Sequence, residues 1–293
     1  MNEHRHEFRV VKMCQVLEVS KSGFYKWLKM RPHQSDCEKE KERLKGVICR
    51  LFYEYRETYG SPRITHELRK QDIHVSEKTV GRYMRERGLR AVPEKRFVTT
   101  TDSNHSHPIY PNLLNRHFNP EQPDRAWVTD ITYVWTLEGW LYLASVMDLY
   151  SRKIIGWHID KSLSKALVLK ALNRAIRLRH PSDKLIHHSD RGSQYASKEY
   201  IECLNAHNIQ ISMSRRGNCY DNACIESFHA TIKKDRIYRR QYRSREEAKK
   251  DIWDYIMSFY NERRSHSTLG YVSPNQYERA YWALTERKQD KTA

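Results

Sequence analysis

Two β-rich runs and one amphipathic helix each carry a carboxylate, and few folds bring all three to one place. The run Ala126-Trp-Val-Thr-Asp130-Ile-Thr-Tyr-Val134 alternates in facing as a strand requires, with Asp130 inside it. A second run, Lys184-Leu-Ile-His-His-Ser-Asp190, ends on Asp190, and Gly192 follows as a turn. Further on, Ile225, Phe228 and Ile232 recur at i, i+3 and i+7 as the apolar stripe of a helix, with Glu226 offset from that stripe in its first turns. The intervals are 59 residues between Asp130 and Asp190 and 35 between Asp190 and Glu226.

Carboxylates gathered this closely repel one another and raise one another's pKa unless a cation lies between them. All-oxygen ligation favours Mg²⁺ or Mn²⁺ over zinc. Two such ions about 3.5 to 4 Å apart serve an in-line displacement at a phosphodiester, so a nucleic-acid backbone is the implied substrate. The competing reading is a set of solvated surface acids, since eleven acidic residues lie between Asp124 and Glu226. Asp148 is a rival, but the turn at Tyr150-Ser-Arg152 makes it a capping residue. Asp221 competes with Glu226, yet Asp221-Asn222 just ahead of the helical pattern reads as an N-cap.

The segments Trp127-Val-Thr-Asp130-Ile-Thr-Tyr133, His188-Ser-Asp190-Arg-Gly192-Ser-Gln194-Tyr195 and Asn222-Ala-Cys-Ile-Glu226-Ser-Phe228 resemble the three motifs of DDE transposases of the retroviral-integrase superfamily. The likeness is to bacterial insertion-sequence transposases whose catalytic part is encoded in a second reading frame. The tail residues Tyr260-Asn261, Arg264, His266, Leu269-Gly270 and Ser273-Pro274 follow the same C-terminal pattern. The resemblance implies that Asp130, Asp190 and Glu226 are the catalytic, metal-binding carboxylates. The N-terminal His-His-Cys-Cys zinc module of retroviral integrases is not visible, and zinc binding is not carried over.

The charge balance agrees. Fifty-three basic against 36 acidic residues leave +17, favouring a polyanionic partner. Both halves share it: residues 1–122 hold 24 basic and 16 acidic groups, and residues 123–293 hold 29 and 20. Thr231 to Lys250 contains nine Lys or Arg against three acids, which marks Lys233, Lys234 and Arg236 as phosphate contacts. The six cysteines include no Cys-x-x-Cys pair, and no apolar stretch approaches membrane-spanning length. A soluble, cytoplasmic, chromosome-associated protein of a bacterium is expected, with no membrane partner.

The first hundred residues read as two groups of short helices. Val10 to Leu17 precedes a helix capped by Ser20; Leu44, Val47, Ile48, Leu51, Phe52 and Tyr55 form one apolar stripe; Ser61-Pro62 and Ser76 open two more helices. Helix, short turn, Ser-capped helix is the pattern of a helix-turn-helix, with Lys21, Lys26, Lys78, Arg82 and Arg85 as DNA-contacting candidates. The expected organisation is a helix-turn-helix-like unit over 1–34, a second helical DNA-binding unit over 38–95, a linker over 96–122, a catalytic core over 123–235 and a basic, helical extension over 236–293. Within the core the order of three strands, helix, strand, helix, strand, helix resembles a ribonuclease-H-like α/β fold, a mixed five-stranded sheet with helices. In such a fold the first and fourth strands are parallel neighbours. Ser273-Pro274-Asn275-Gln276 reads as a capping box.

The reading is a DNA transposase that cleaves element ends and transfers the 3′-hydroxyls to target DNA, using Mg²⁺ or Mn²⁺, with two ions. Its partners are element terminal repeats, target DNA, further copies of itself on DNA, and an upstream-frame protein or fusion. The alternatives are a ribonuclease-H-type nuclease and a catalytically silent DNA-binding repressor. A tyrosine recombinase is also weighed, with Tyr260 as nucleophile, but Trp253 and Ile256 at i−7 and i−4 mark Tyr260 as packed.

Overall fold

The computed structural model describes residues 1–30, 36–91, 108–181 and 184–289. It divides into two compact units, 1–91 and 92–293.

In the first unit, α1 (Val10–Val16) and α2 (Lys21–Met30) are joined by a turn, and Ser20 Oγ accepts the Gly23 N–H at 3.0 Å as the N-cap of α2. Three further helices follow: α3 (Asp36–Glu54), α4 (Ser61–Lys70) and α5 (Glu77–Glu86). Their apolar stripes meet in one core of Ile48, Leu51, Phe52, Tyr59, Ile64, Leu68, Val80, Tyr83, Met84 and Leu89. Each of the large aliphatic or aromatic side chains fully removed from water there contributes roughly 1.5–3 kcal/mol. Ser76 caps α5 as its sequence position predicts, accepting the Thr79 N–H at 3.1 Å. Ser61, read as a cap, is instead the first residue of α4, and Gly60 takes the cap position with extended backbone. The fixed φ of Pro62 suits the first turn, so the helix begins one residue earlier than a capping serine would place it.

The second unit is built on a sheet. Strands β1 (Ala126–Thr136), β2 (Gly139–Asp148) and β3 (Ile154–Asp160) form an antiparallel meander, followed by α6 (Lys165–Arg179), β4 (Ile186–Ser189), α7 (Lys198–Ala206) and β5 (Gln210–Met213). The order across the sheet is β3-β2-β1-β4-β5, with β1–β4 and β4–β5 parallel. This is the ribonuclease-H-like arrangement. Trp127, Ala144, Val146 and Ile155 pack from the sheet against Leu167, Val168, Ala171, Leu172 and Ala175 of α6. The contact is close at Gly156, where a Cβ would lie 2.4 Å from the Ala171 carbonyl oxygen and 2.8 Å from the Ala175 Cβ. Glycine in mid-strand is tolerated here because the helix backbone needs its space.

Of the stretch read as a linker, residues 96–107 lie outside the described residues, whereas 108–122 pack onto the sheet unit. Leu114 is buried, Ser212 Oγ accepts the N–H groups of Leu113 (2.9 Å) and Leu114 (3.1 Å), and Met213 N–H donates to the Pro111 carbonyl at 3.3 Å. Polar, turn-prone composition predicts a free connector, but such residues also suit a strap whose backbone is hydrogen-bonded to a strand edge.

The chain continues through α8 (Ala223–Asp235), α9 (Arg245–Asp254), a π-helical turn at Tyr255–Tyr260, and α10 (Pro274–Gln289). This tail closes onto the sheet. Leu137 N–H donates to the Tyr242 carbonyl at 3.0 Å, and the Asn261 amide engages both backbone groups of Ile154 at the end of the edge strand β3, at 3.0 and 2.9 Å. Asp235, at the end of α8, accepts from Tyr255 Oη and Arg264 Nε at 2.8 Å each. The capping box forms: Gln276 N–H meets Ser273 Oγ at 3.3 Å, and Ser273 N–H meets Gln276 Oε1 at 3.0 Å. No helix among the described residues is long and apolar enough to cross a membrane.

Candidate active site

The β1–β4 register sets Val128 opposite His188. Two residues on, Asp130 in β1 and Asp190 just past the end of β4 fall across from each other, because parallel neighbours advance together. His188 fixes that end of β4 to β5: its ring is 2.8 Å from Ser212 Oγ and 3.0 Å from Ser214 Oγ, and burial pushes the imidazole down to about 4. Asp190 Oδ1 accepts the Gly192 N–H at 2.9 Å in the turn that follows. Asp130 Oδ1 accepts the Ile131 N–H at 2.8 Å, and its Oδ2 lies 3.2 Å from His229 Nδ1.

Helix α8 supplies Glu226 in its first turn. Its buried stripe of Ile225, Phe228 and Ile232 faces the protein, leaving Glu226 on the exposed side. Burial of part of the carboxyl, followed by repulsion from Asp130 and then Asp190, pushes Glu226 up to about 7. The three acids therefore share one electrostatic environment. Among the described residues, no three Asp, Glu, His or Cys side chains are drawn together closely enough to hold a metal ion as they stand. One oxygen each of Asp130 and Asp190 is engaged by a backbone N–H.

The start of α8 is held from below. Asp221, fully buried, accepts from Arg215 Nε (2.9 Å) and Nη2 (2.7 Å), Arg116 Nε (2.9 Å) and Asn112 Nδ2 (3.1 Å). These bonds, those from Arg215 foremost, hold its carboxyl far below the usual carboxylate range. The expected N-cap role is not what Asp221 performs. The residue at the cap position is Asn222, whose Nδ2 instead donates to the Thr129 carbonyl at 3.1 Å, tying α8 to the strand that carries Asp130. The rival Asp148 is engaged as a turn residue and ion-pair partner: Oδ1 accepts the Tyr150 N–H at 2.9 Å and Oδ2 meets Arg179 at 3.1 Å. Arg179 also pairs with Glu278 of α10 at 2.6 Å. Burial, with Asp124 beside it, pushes Asp148 up to about 7.

Among the basic candidates, Lys21 and Lys26 on α2 and Lys78, Arg82 and Arg85 on α5 are exposed. Lys233, two turns from Glu226, is half-buried beside Asp130; burial lowers its pKa and Asp130 partly restores it. Lys234 is half-buried on α8. Arg236 is turned inward and paired with Asp254 (3.1 Å) and Asp251 (3.7 Å), so its guanidinium serves the protein's own acids. His229 and Ser145 carry only a faint signal in the sequence. The available signal was a histidine at Ile225 + 4 and Ile232 − 3, a polar residue on the inward stripe.

Comparison with known proteins bears on this arrangement. Family models of an integrase core domain match residues 120–219 and 207–274, and one of an HTH-like domain matches residues 39–97. The chain is 44% identical over 269 residues to the "Insertion element IS600 uncharacterized 31 kDa protein" of Shigella sonnei, covering 92% of this chain and 98% of that protein. It is 39% identical over 278 residues to "Transposase InsF for insertion sequence IS3A" of Escherichia coli (strain K12), covering 95% and 96%. Among solved structures, the HTLV-2 integrase catalytic core domain in complex with magnesium superposes with a TM-score of 0.43 at 16% identity, covering 55% of this chain and 99% of that one.

Proposed function

The chain belongs to the IS3-family insertion-sequence transposases, with an integrase core domain and an HTH-like domain, and from that premise we propose that Asp130, Asp190 and Glu226 form its catalytic, metal-holding site. The observation that carries this assignment is geometric: the β1–β4 register brings Asp130 and Asp190 to the same end of neighbouring strands, and Asn222 ties the start of the Glu226 helix to the Thr129 carbonyl beside Asp130; burial first, then Asp130 and Asp190, push Glu226 up to about 7. A donor set of carboxylate oxygens short of a cation fits Mg²⁺ or Mn²⁺. Held by these three residues, divalent ions, two of them on this reading, supply charge stabilisation to the attacking and leaving oxygens of a phosphodiester displacement.

The chain's own residues do the rest. Asp130 within β1 and Asp190 just past the end of the neighbouring parallel β4 supply two of the carboxylates. Glu226 approaches from α8, whose start is set by the Asp221 clasp and by Asn222. Lys233, beside Asp130, is placed to meet a phosphate oxygen of the DNA strand entering the site. No protein nucleophile is required, since water and then a DNA 3′-hydroxyl attack directly. The exposed basic residues of α5 follow a Ser-capped turn in the manner of a recognition helix and are assigned to duplex DNA.

Strand joining on oligonucleotides carrying the element's ends tests the assignment. Asp130→Asn, Asp190→Asn and Glu226→Gln each remove a charge and little volume, so cleavage and joining are expected to be abolished while DNA binding persists. Near-normal joining by the Asp190→Asn protein would eliminate the site.

A further inference from the structure

We propose that His229 is a positioning residue for Asp130: anchored on Ser145, its ring fixes the carboxylate's orientation and so sets the affinity of the acidic site for divalent metal. The inference rests on Asp130 being a metal ligand. His229 lies one turn beyond Glu226 on α8 and is 3% exposed, on a stripe otherwise made of Ile225, Phe228 and Ile232. A leucine would serve packing there, and a buried polar ring is tolerated only with its hydrogen bonds made.

Both ring nitrogens have partners. Nδ1 is 3.2 Å from Asp130 Oδ2, and Nε2 is 3.3 Å from Ser145 Oγ. An ionised carboxylate only accepts, so Nδ1 carries a hydrogen and donates it to Asp130, while Nε2 lies within hydrogen-bond reach of the Ser145 hydroxyl. Ser145 is the cross-strand partner of Asp130 in the β1–β2 ladder. The imidazole thus spans a paired position of the sheet from the helix above it. With Ile131 N–H on Oδ1 at 2.8 Å, each oxygen of Asp130 has one fixed donor and keeps a lone pair for a cation. The carboxylate cannot turn without breaking one of these bonds. Groups that orient metal ligands in this way commonly govern affinity by about 10–100-fold.

The competing role is a latch that merely holds α8 on the sheet, which would affect stability and leave metal affinity alone. The test is calorimetric titration of the full chain with Mn²⁺ alone, with thermal melting measured in parallel. Wild type is expected to bind and Asp130→Asn to lose binding; if these two behave alike, the acidic site itself is misassigned whatever His229 does. Given that difference, His229→Leu is expected to weaken Mn²⁺ binding about 10–100-fold. His229→Asn, whose Nδ2 can reach Asp130 from near the same place, should restore most of it. A folded His229→Leu protein that binds Mn²⁺ as tightly as wild type overturns the proposal, and so does equal loss in the Leu and Asn variants. If His229→Leu does not fold, Ser145→Ala removes only the outer anchor: several-fold weaker Mn²⁺ binding supports the proposal and unchanged binding overturns it.

Discussion

The Tyr260 hydroxyl donates to the Arg152 carbonyl at 3.2 Å, and its ring packs edge-on to Phe228 and to His266. Burial raises the phenol's pKa, the opposite of what a nucleophile requires. Tyr260→Phe is therefore expected to retain strand joining and to lose only the hydrogen bond, on the order of 0.5–1.5 kcal/mol of stability. No denaturation-resistant protein–DNA adduct should accumulate, and EDTA should stop the reaction; recovery of a tyrosyl-DNA species would refute the direct-displacement mechanism. At this scale the sequence revealed residues that announce themselves by context: a carboxylate inside an alternating strand, another before a glycine turn, a third beside an apolar stripe. It hid those whose role depends on what lies opposite. Asp221 has the local context of a helix cap, and only the return of residues 112–116 to its side brings Asn112 and Arg116 to join Arg215 around it.

At the scale of elements, periodicity marks the strands and most helices, because hydrophobic spacing is a local property, but the stripe from Leu44 to Tyr55 shows only the later part of α3, whose charged first turns begin at Asp36. The parallel pairing of β1 with β4 is not local, and it came from resemblance rather than from spacing. Nor could the sequence show that Gly156 is dictated by helix α6, since a glycine inside a strand is equally the mark of a bulge. Gly156→Ala is expected to force Ala171 and Ala175 away from the sheet and to destabilise the protein by about 1–3 kcal/mol, as overpacking does. Thermal or denaturant unfolding of the variant measures it, and an unchanged midpoint would mean that the helix can move aside without cost. Because α6 lies on β3 and β2 rather than against the acidic residues, residual joining per folded molecule should be unaffected.

For the molecule as a whole, both halves carry a basic excess, which favours a polyanionic partner for each. Residues 1–91 form a compact unit with their own core. Expressed alone, they are expected to fold as a helical protein and to bind duplex DNA with an affinity that falls steeply as salt rises, because phosphate contact releases counterions. An electrophoretic or fluorescence titration across salt concentrations decides it; no binding even at low salt would leave these helices as scaffold. The helices of the first unit were legible from capping signals and apolar stripes, whereas the strap at 108–122 was not, since polar segments that hydrogen-bond to a sheet look in sequence like those that do not. The contact between Asn261 and Ile154 reaches further than architecture. The amide that satisfies the edge of the sheet is encoded more than a hundred residues after the strand it completes, and the carboxylate of Glu278 that neutralises Arg179 comes later still. A chain that ended before Asn261 would carry all three acids yet leave both backbone groups of Ile154 at the sheet edge without these partners, and is expected to be more open to proteolysis than the full chain.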